Sequence, residues 1–238
     1  MPKKEGIQKL FDSIAPEYDK LNHILSMDID KTWRKRAVKQ IVDVKTPLKI
    51  LDIACGTGDF AIETAKHCPD GSRITGIDIS EGMLEIGKTK VEEAGLGEII
   101  TLESGDCADI QYADATFDRV TIAFGIRNFE DKEKCLKEVF RVLKPGGKLI
   151  ILELSVPSNR FLSDVYKVYF KGVLPVVGGM VSGNRSAYEY LPESVIRFPK
   201  PERFMEMMTE AGFSKVRHKS FTMSTCRMFI GVKSLKNR

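Results

Sequence analysis

Two short apolar runs near the end of this chain constrain its fold more than any other feature. KVRHKSFT (215–222) and CRMFIGVK (226–233) are separated only by Met223–Thr225. No crossover helix fits into three residues, so the two runs must pair antiparallel. Upstream the pattern is different. Five apolar runs, LKILDIA (48–54), RITGIDIS (73–80), IITLESGD (99–106), RVTIAFGI (119–126) and KLIILEL (148–154), are spaced by longer connections, three of them of helical character. Most lack polar alternation, which fits strands buried on both faces. Strands alternating with helices at this spacing predict a parallel α/β sheet covered on both sides. The expected product is a seven-stranded, mostly parallel sheet that finishes in an antiparallel hairpin.

The intervening helices follow from apolar period. DKEKCLKEVFRVL places Leu136, Val139, Phe140 and Leu143 on one face, and KPGG is expected to stop it. EGMLEIGKTKVEEAG reads as a second helix, with Ser80 as its cap but no capping box, because Met83 stands three residues on. Four segments of a single domain are expected: an N-terminal helical cap (1–47), a nucleotide-binding half (48–155), a helical insertion (156–200) and a C-terminal helix and hairpin (201–238). With 238 residues and 42% hydrophobic content, the core needs no disulfide or metal support. The five cysteines are odd in number and scattered, and none of the three histidines pairs at ligand spacing, so reduced thiols, a cytoplasmic location and no metal site are expected. The N-terminal twenty residues carry charges throughout, unlike a signal peptide. The longest uncharged stretch, Gly172–Asn184, is too short to span a bilayer. A surplus of 37 basic over 33 acidic residues, net +4, is too small to argue for nucleic acid as a partner.

Gly56-Thr57-Gly58 follows the first strand and opens a helix, where free backbone N–H groups and close approach favour a nucleotide-like ligand. With Ala61, and with Asp78 20 residues after Gly58 at the end of the second strand, the spacing alone matches a dinucleotide fingerprint. Charge separates two readings. Asp52 before the loop and Asp59 after it are expected to put carboxylates beside the ligand, which would repel a pyrophosphate but suit the ammonium and sulfonium of S-adenosylmethionine. Asp78 can accept ribose hydroxyls from either ligand. Asp106-Cys107, ending the third strand, lies where an adenine edge would fall, and a carboxylate can accept from its amino group. Competing structural roles are a salt bridge for Asp52 and a helix cap for Asp106.

Two further stretches carry a family resemblance. The first is Tyr18-Asp19-Lys20-Leu21-Asn22, then Leu25-Ser26, Asp30 and Trp33; the second is RVLKPGGKLIILELS (141–155). AFGIRN (123–128), AYEYLPESVIRFP (187–199) and AGF (211–213) agree with them. On these motifs the chain resembles the ubiquinone/menaquinone biosynthesis C-methyltransferase family over nearly its whole length. Leu21, Asp30 and Ala123 depart from that family's usual Met, His and Ser. The resemblance implies a class I S-adenosylmethionine-dependent methyltransferase, whose seven-stranded sheet has its last strand antiparallel. It implies methyl transfer to a ring carbon of a prenylated quinol, with a menaquinone precursor favoured over a ubiquinone one. Carried over by position, Thr57, Asp78, Asp106, Cys107 and Ala123 would hold the cofactor, beside Asp52 before the loop and Gly56 and Gly58 in it.

A ring hydroxyl with a pKa near 10, by analogy with tyrosine, is ionised in about one molecule per thousand at pH 7. Something must therefore favour the phenolate whose ortho carbon accepts the methyl group. Arg127, just after the fourth strand, is the first candidate: it can stabilise an oxyanion but cannot act as a base. Asn128 is expected to orient the ring hydroxyl, and His23 is a candidate base with a packing role as its competitor. The insertion, through Phe161, Tyr166, Tyr169, Phe170, Leu174, Val176 and Val177, is expected to house the prenyl tail, with Lys167 and Lys171 at lipid headgroups. The lipid-soluble substrate implies peripheral contact with a membrane surface. Oligomeric state is left open. Methyl transfer to a phenol oxygen or a sterol would keep fold and cofactor and change only the acceptor; a dinucleotide-dependent oxidoreductase and a non-catalytic scaffold are readings of other classes.

Overall fold

The computed structural model describes residues 4–19, 26, 28–157, 159, 164 and 185–235. His23 and the apolar and basic residues named for the insertion lie outside them. The chain order is α1 (Lys4–Ile14), a 3-10 turn (Ala15–Glu17), α2 (Ile29–Ile41), β1 (Lys49–Ile53), α3 (Asp59–Ala65), β2 (Arg73–Asp78), α4 (Glu81–Glu93), β3 (Ile100–Ser104) and β4 (Phe117–Ala123). A second 3-10 turn (Ile126–Asn128) leads to α5 (Lys132–Val142), β5 (Leu143–Leu154), α6 (Arg185–Arg197), α7 (Pro201–Glu210), β6 (Ser214–Phe221) and β7 (Cys226–Val232). The strands form one sheet in the order β3-β2-β1-β4-β5-β7-β6. β7 runs antiparallel to both its neighbours, and the other pairs are parallel.

The central strands β1, β4 and β7 lack polar alternation because both their faces are buried, whereas the edge strand β6 alternates. In β1, Ile50 packs into one core with Ala37 and Ile41 of α2 and Phe60 and Ala61 of α3. Its neighbour Leu51 packs into the other, with Leu136 and Val139 of α5 and Phe204 and Met208 of α7. Ser80 caps α4 as read from sequence, accepting from the Met83 N–H at 3.2 Å. KPGG does not separate helix from strand as expected. α5 ends at Val142 and β5 starts at once, with the register to β4 jumping from Phe117↔Leu143 to Arg119↔Lys148. The four residues are absorbed as a bulge, held by Gly146 N–H donating to Lys233 O at 2.7 Å. β3 is also shorter than expected, so Asp106 stands two residues past its end.

All parallel strands point their carboxyl ends toward one rim, where β1 and β4 are neighbours and their connections run to opposite sides of the sheet. That switch point is where an open α/β sheet leaves a crevice for ligands.

Candidate active site

The crevice is a cavity of about 350 Å³. Its floor is the strand tips: Ile53 and Ala54 after β1, Asp78 and Ile79 after β2, Gly105–Ala108 after β3, and Ala123–Gly125 after β4. Asn128, Phe129 and Cys135 close one side, and Lys4, Ile7, Phe11 and Tyr18 from the N-terminal segment close another. Four carboxylates (Asp78, Asp106, Glu130, Asp131) and two ammonium groups (Lys4, Lys134) line it, a formal balance of 2 − 4 = −2. Ala54 and Phe124, at the tips of adjacent strands, both adopt left-handed backbone (φ 53° and 58°). Non-glycine residues hold that conformation only where their surroundings enforce it.

The glycine loop is shaped by Asp78. Its Oδ2 accepts the Gly56 N–H at 2.8 Å, and its Oδ1 accepts the Ser80 N–H at 2.9 Å. Burial raises its pKa, and those backbone donors work against the rise. Gly58 precedes α3 with φ +79°, a backbone that side chains disfavour. Close packing comes from α4: a Cβ on Gly87 would lie 2.7 Å from Leu102 Cδ1 and 3.1 Å from the Thr57 carbonyl carbon. Asp106 pairs with Lys4 at 2.6 Å and accepts the Ala108 N–H at 2.9 Å. Partial burial would raise its pKa, but these partners hold it below the ordinary carboxylate value. Cys107 and Cys135 share a thiol hydrogen bond, which with burial pushes the Cys107 pKa far upward. Such a thiol lines a wall and is a poor nucleophile.

Contrary to the expectation from sequence, Asp52 and Asp59 are not among the residues that line the cavity. Asp52 is 2% exposed, and its Oδ1 accepts from Thr121 Oγ1 at 2.6 Å, because Asp52 and Thr121 are register partners on β1 and β4. Burial raises its pKa to about 7. Asp59 binds Lys90 Nζ at 2.5 Å and lies 3.5 Å from Arg34. Lys90 also binds Asp19 at 2.5 Å, and Thr57 Oγ1 donates to Asp19 Oδ1 at 2.6 Å. Thus Thr57 and α4 clip Asp19, next to the cavity-lining Tyr18, onto the glycine loop. The negative lining comes instead from Asp78, Asp106, Glu130 and Asp131.

Arg127 is 7% exposed and lies outside the lining. Its guanidinium binds Glu153 Oε1 at 2.8 Å, the Phe124 carbonyl, and Ser194 Oγ at 3.3 Å. Glu153, fully buried in β5, also accepts the N–H of Arg127 at 3.0 Å and that of Leu154 at 2.8 Å. The pair fastens the turn after β4 to β5 and α6. Asn128, one residue on, does reach the cavity, and its Oδ1 accepts from Tyr190 Oη at 2.9 Å.

Residues 1–233 match the ubiE/COQ5 methyltransferase family. A demethylmenaquinone methyltransferase of Bacteroides fragilis is 43% identical over 231 residues, 97% of this chain and 94% of the relative. A ubiquinone/menaquinone biosynthesis C-methyltransferase of Geotalea daltonii is 47% identical over 97% of both chains. The chain belongs to the ubiE/COQ5 methyltransferase family. Its fold is shared with a Thermotoga maritima S-adenosylmethionine-dependent methyltransferase (TM-score 0.67, 21% identity, 95% and 100% coverage). It is also shared with the [4+2]-cyclase SpnF (TM-score 0.74, 18% identity, 98% of both chains). A cyclase on this scaffold shows that the fold does not by itself fix the chemistry.

Among the residues singled out in the sequence of this ubiE/COQ5 family member, Gly56, Asp78, Asp106, Cys107, Ala123 and Asn128 come together around one cavity. Asp52, Thr57, Gly58 and Arg127 stand behind or beside it. Sequence reasoning missed the wall formed by Lys4, Ile7 and Phe11, and gave Asp19, Lys90, Glu153 and Tyr190 no role. Tyr18-Asp19, Glu153 and Tyr190 lie inside the family-like stretches, which is the available signal. Lys90 was one lysine among many. Among the described residues, no group of three or more His, Cys, Asp or Glu could hold a metal ion, and no helix is long and apolar enough to cross a membrane.

Proposed function

We propose that this chain transfers a methyl group from S-adenosylmethionine to a ring carbon of a prenylated quinol, with demethylmenaquinol as substrate and menaquinol as product. The observation that carries the reading is full-length identity of 43–47% to relatives bearing those names. The cavity lining fits the donor: its net negative charge favours a cationic sulfonium and opposes a pyrophosphate. Asp78 is the acceptor for ribose hydroxyls, since a carboxylate has about four lone-pair sites and two are used by backbone. Asp106, with Cys107, marks the adenine end, where the Lys4 contact must be shared or given up. Gly56 and Ala123 present backbone, while Thr57 and Gly58 keep the loop in shape.

The bound donor supplies an already activated methyl group, so the protein's task is alignment and activation of the acceptor ring. Alignment can lower the barrier by roughly 7–11 kcal/mol. Asn128 meets the ring oxygen, and Arg127 with Glu153 holds the turn that presents it. The lipid-soluble acceptor brings peripheral contact with a membrane surface, and the insertion 156–200 is the segment proposed to receive its tail.

Incubation of the purified protein with labelled S-adenosylmethionine and each demethylated quinol, followed by mass analysis, tests the reading. Label on the ring of demethylmenaquinol is expected, with S-adenosylhomocysteine formed in equal amount. Absence of label from both quinols refutes it.

A further inference from the structure

We infer that Tyr190 is a positioning residue for the acceptor: by donating to Asn128 Oδ1 it fixes the carboxamide so that its Nδ2 donors face the ring oxygen. The inference rests on the methyl-transfer reading above. Tyr190 lies on α6, and Asn128 on the turn after β4, so the 2.9 Å bond joins elements 62 positions apart. A second bond, from Arg127 Nε to Ser194 Oγ, pins the same helix to the same turn one residue earlier. The pair therefore belongs to a docked interface and is not an incidental surface contact.

An asparagine amide has an acceptor end and a donor end. With Oδ1 turned to Tyr190, the donor end is the one left to meet a ligand in the cavity that Asn128 lines. Among the described residues that end has no protein hydrogen-bond partner. Burial raises the Tyr190 pKa, which Arg127 opposes, so its hydroxyl stays protonated at neutral pH and remains the donor of the pair. A donor aimed at the ring oxygen favours the phenolate over the neutral hydroxyl, and the ortho carbon gains electron density as the methyl group arrives. An acceptor in the same place would do the opposite. The lock thus chooses the sign of the interaction, which a free carboxamide could reverse by turning over.

The test is steady-state turnover of the full chain with demethylmenaquinol for wild type, Y190F, N128A, N128D and Y190F/N128A, alongside melting temperature and S-adenosylhomocysteine affinity. Y190F is expected to lower kcat about tenfold with KM for either substrate within about twofold, the loss of one hydrogen bond felt in the transition state. N128A should cost about a hundredfold, as for an oxyanion donor. Y190F/N128A should match N128A within about twofold, because Tyr190 acts only through Asn128. N128D keeps the tyrosine bond and nearly the same shape but presents an acceptor, so it should fall as far as N128A. Multiplying losses in the double variant, or N128D within about twofold of wild type, overturns the inference while the reaction stands. No wild-type turnover refutes the reaction and the inference with it.

Discussion

Replacing Arg127 with lysine separates a buried anchor from a group that touches substrate. The guanidinium makes three contacts at once, to Glu153, the Phe124 carbonyl and Ser194. A lysine ammonium at the same depth can keep the ion pair with Glu153 but not the fork. The half-buried Phe124 carbonyl then loses a charged donor, worth about 1.5–3 kcal/mol. Ser194 loses little, because its contact is long and its hydroxyl still donates to Leu191 O at 2.8 Å. The expected loss is about 2–3 kcal/mol, or a fall in Tm of about 5–10 °C for a chain of this size. Arg127→Met should cost more, about 3–5 kcal/mol, because Glu153 would stay buried with only two backbone donors. The assay is thermal unfolding by circular dichroism, paired with turnover measured well below the lower Tm. With the guanidinium outside the cavity lining, R127K should keep turnover within about tenfold, since direct loss of an oxyanion partner costs about a hundredfold or more. A variant that melts within about 1 °C of wild type yet loses over a hundredfold in turnover would refute the anchoring role and return Arg127 to the substrate.

Two other perturbations follow from burial and packing. Asp52 has a folded-state pKa of about 7 against an ordinary 3.8, so between about pH 4 and 7 the folded protein binds more protons than the unfolded chain. Stability without ligand should therefore fall as pH rises through that window, by up to about 4 kcal/mol for roughly three units, and D52N should flatten the fall; parallel pH profiles of urea midpoints for both proteins would contradict this. Gly87→Ala should cost about 1–3 kcal/mol and weaken S-adenosylhomocysteine binding, because its Cβ would press on Leu102 and on the Thr57 backbone of the glycine loop. Unchanged calorimetric affinity together with unchanged Tm would show that the helix and loop can part without cost.

Much of the fold was legible because its signals are local. The five apolar runs are strands because a covered parallel sheet demands side chains that tolerate burial on both faces. The three residues between the last two runs exclude any crossover, which forces β7 antiparallel. Gly56-Thr57-Gly58, Asp78 and Asp106 could be found because strand tips are fixed once the strands are, and Asp78 and Asp106 do reach the cavity. KPGG stands where the helix stops, as its turn chemistry implies, but its place inside β5 was not legible, because a turn signal fits a bulge inside a strand as well as a break between elements.

Direction and partnership were decided elsewhere. Asp52, Asp59 and Asp78 are equivalent as letters near a glycine loop, yet one is buried against Thr121, one is held by Lys90, and one faces the cavity. Arg127 and Asn128 are adjacent in sequence but part at the 3-10 turn, one into a buried pair with Glu153 and the other toward the cavity. Sequence alone determined which elements exist and which strand ends carry polar residues, because periodicity and connection length are properties of the chain itself. Only the tertiary structure decided which charges are neutralised by distant partners such as Lys4, Lys90 and Glu153, because electrostatic pairing depends on separation in space and on burial, and neither is encoded in spacing along the chain.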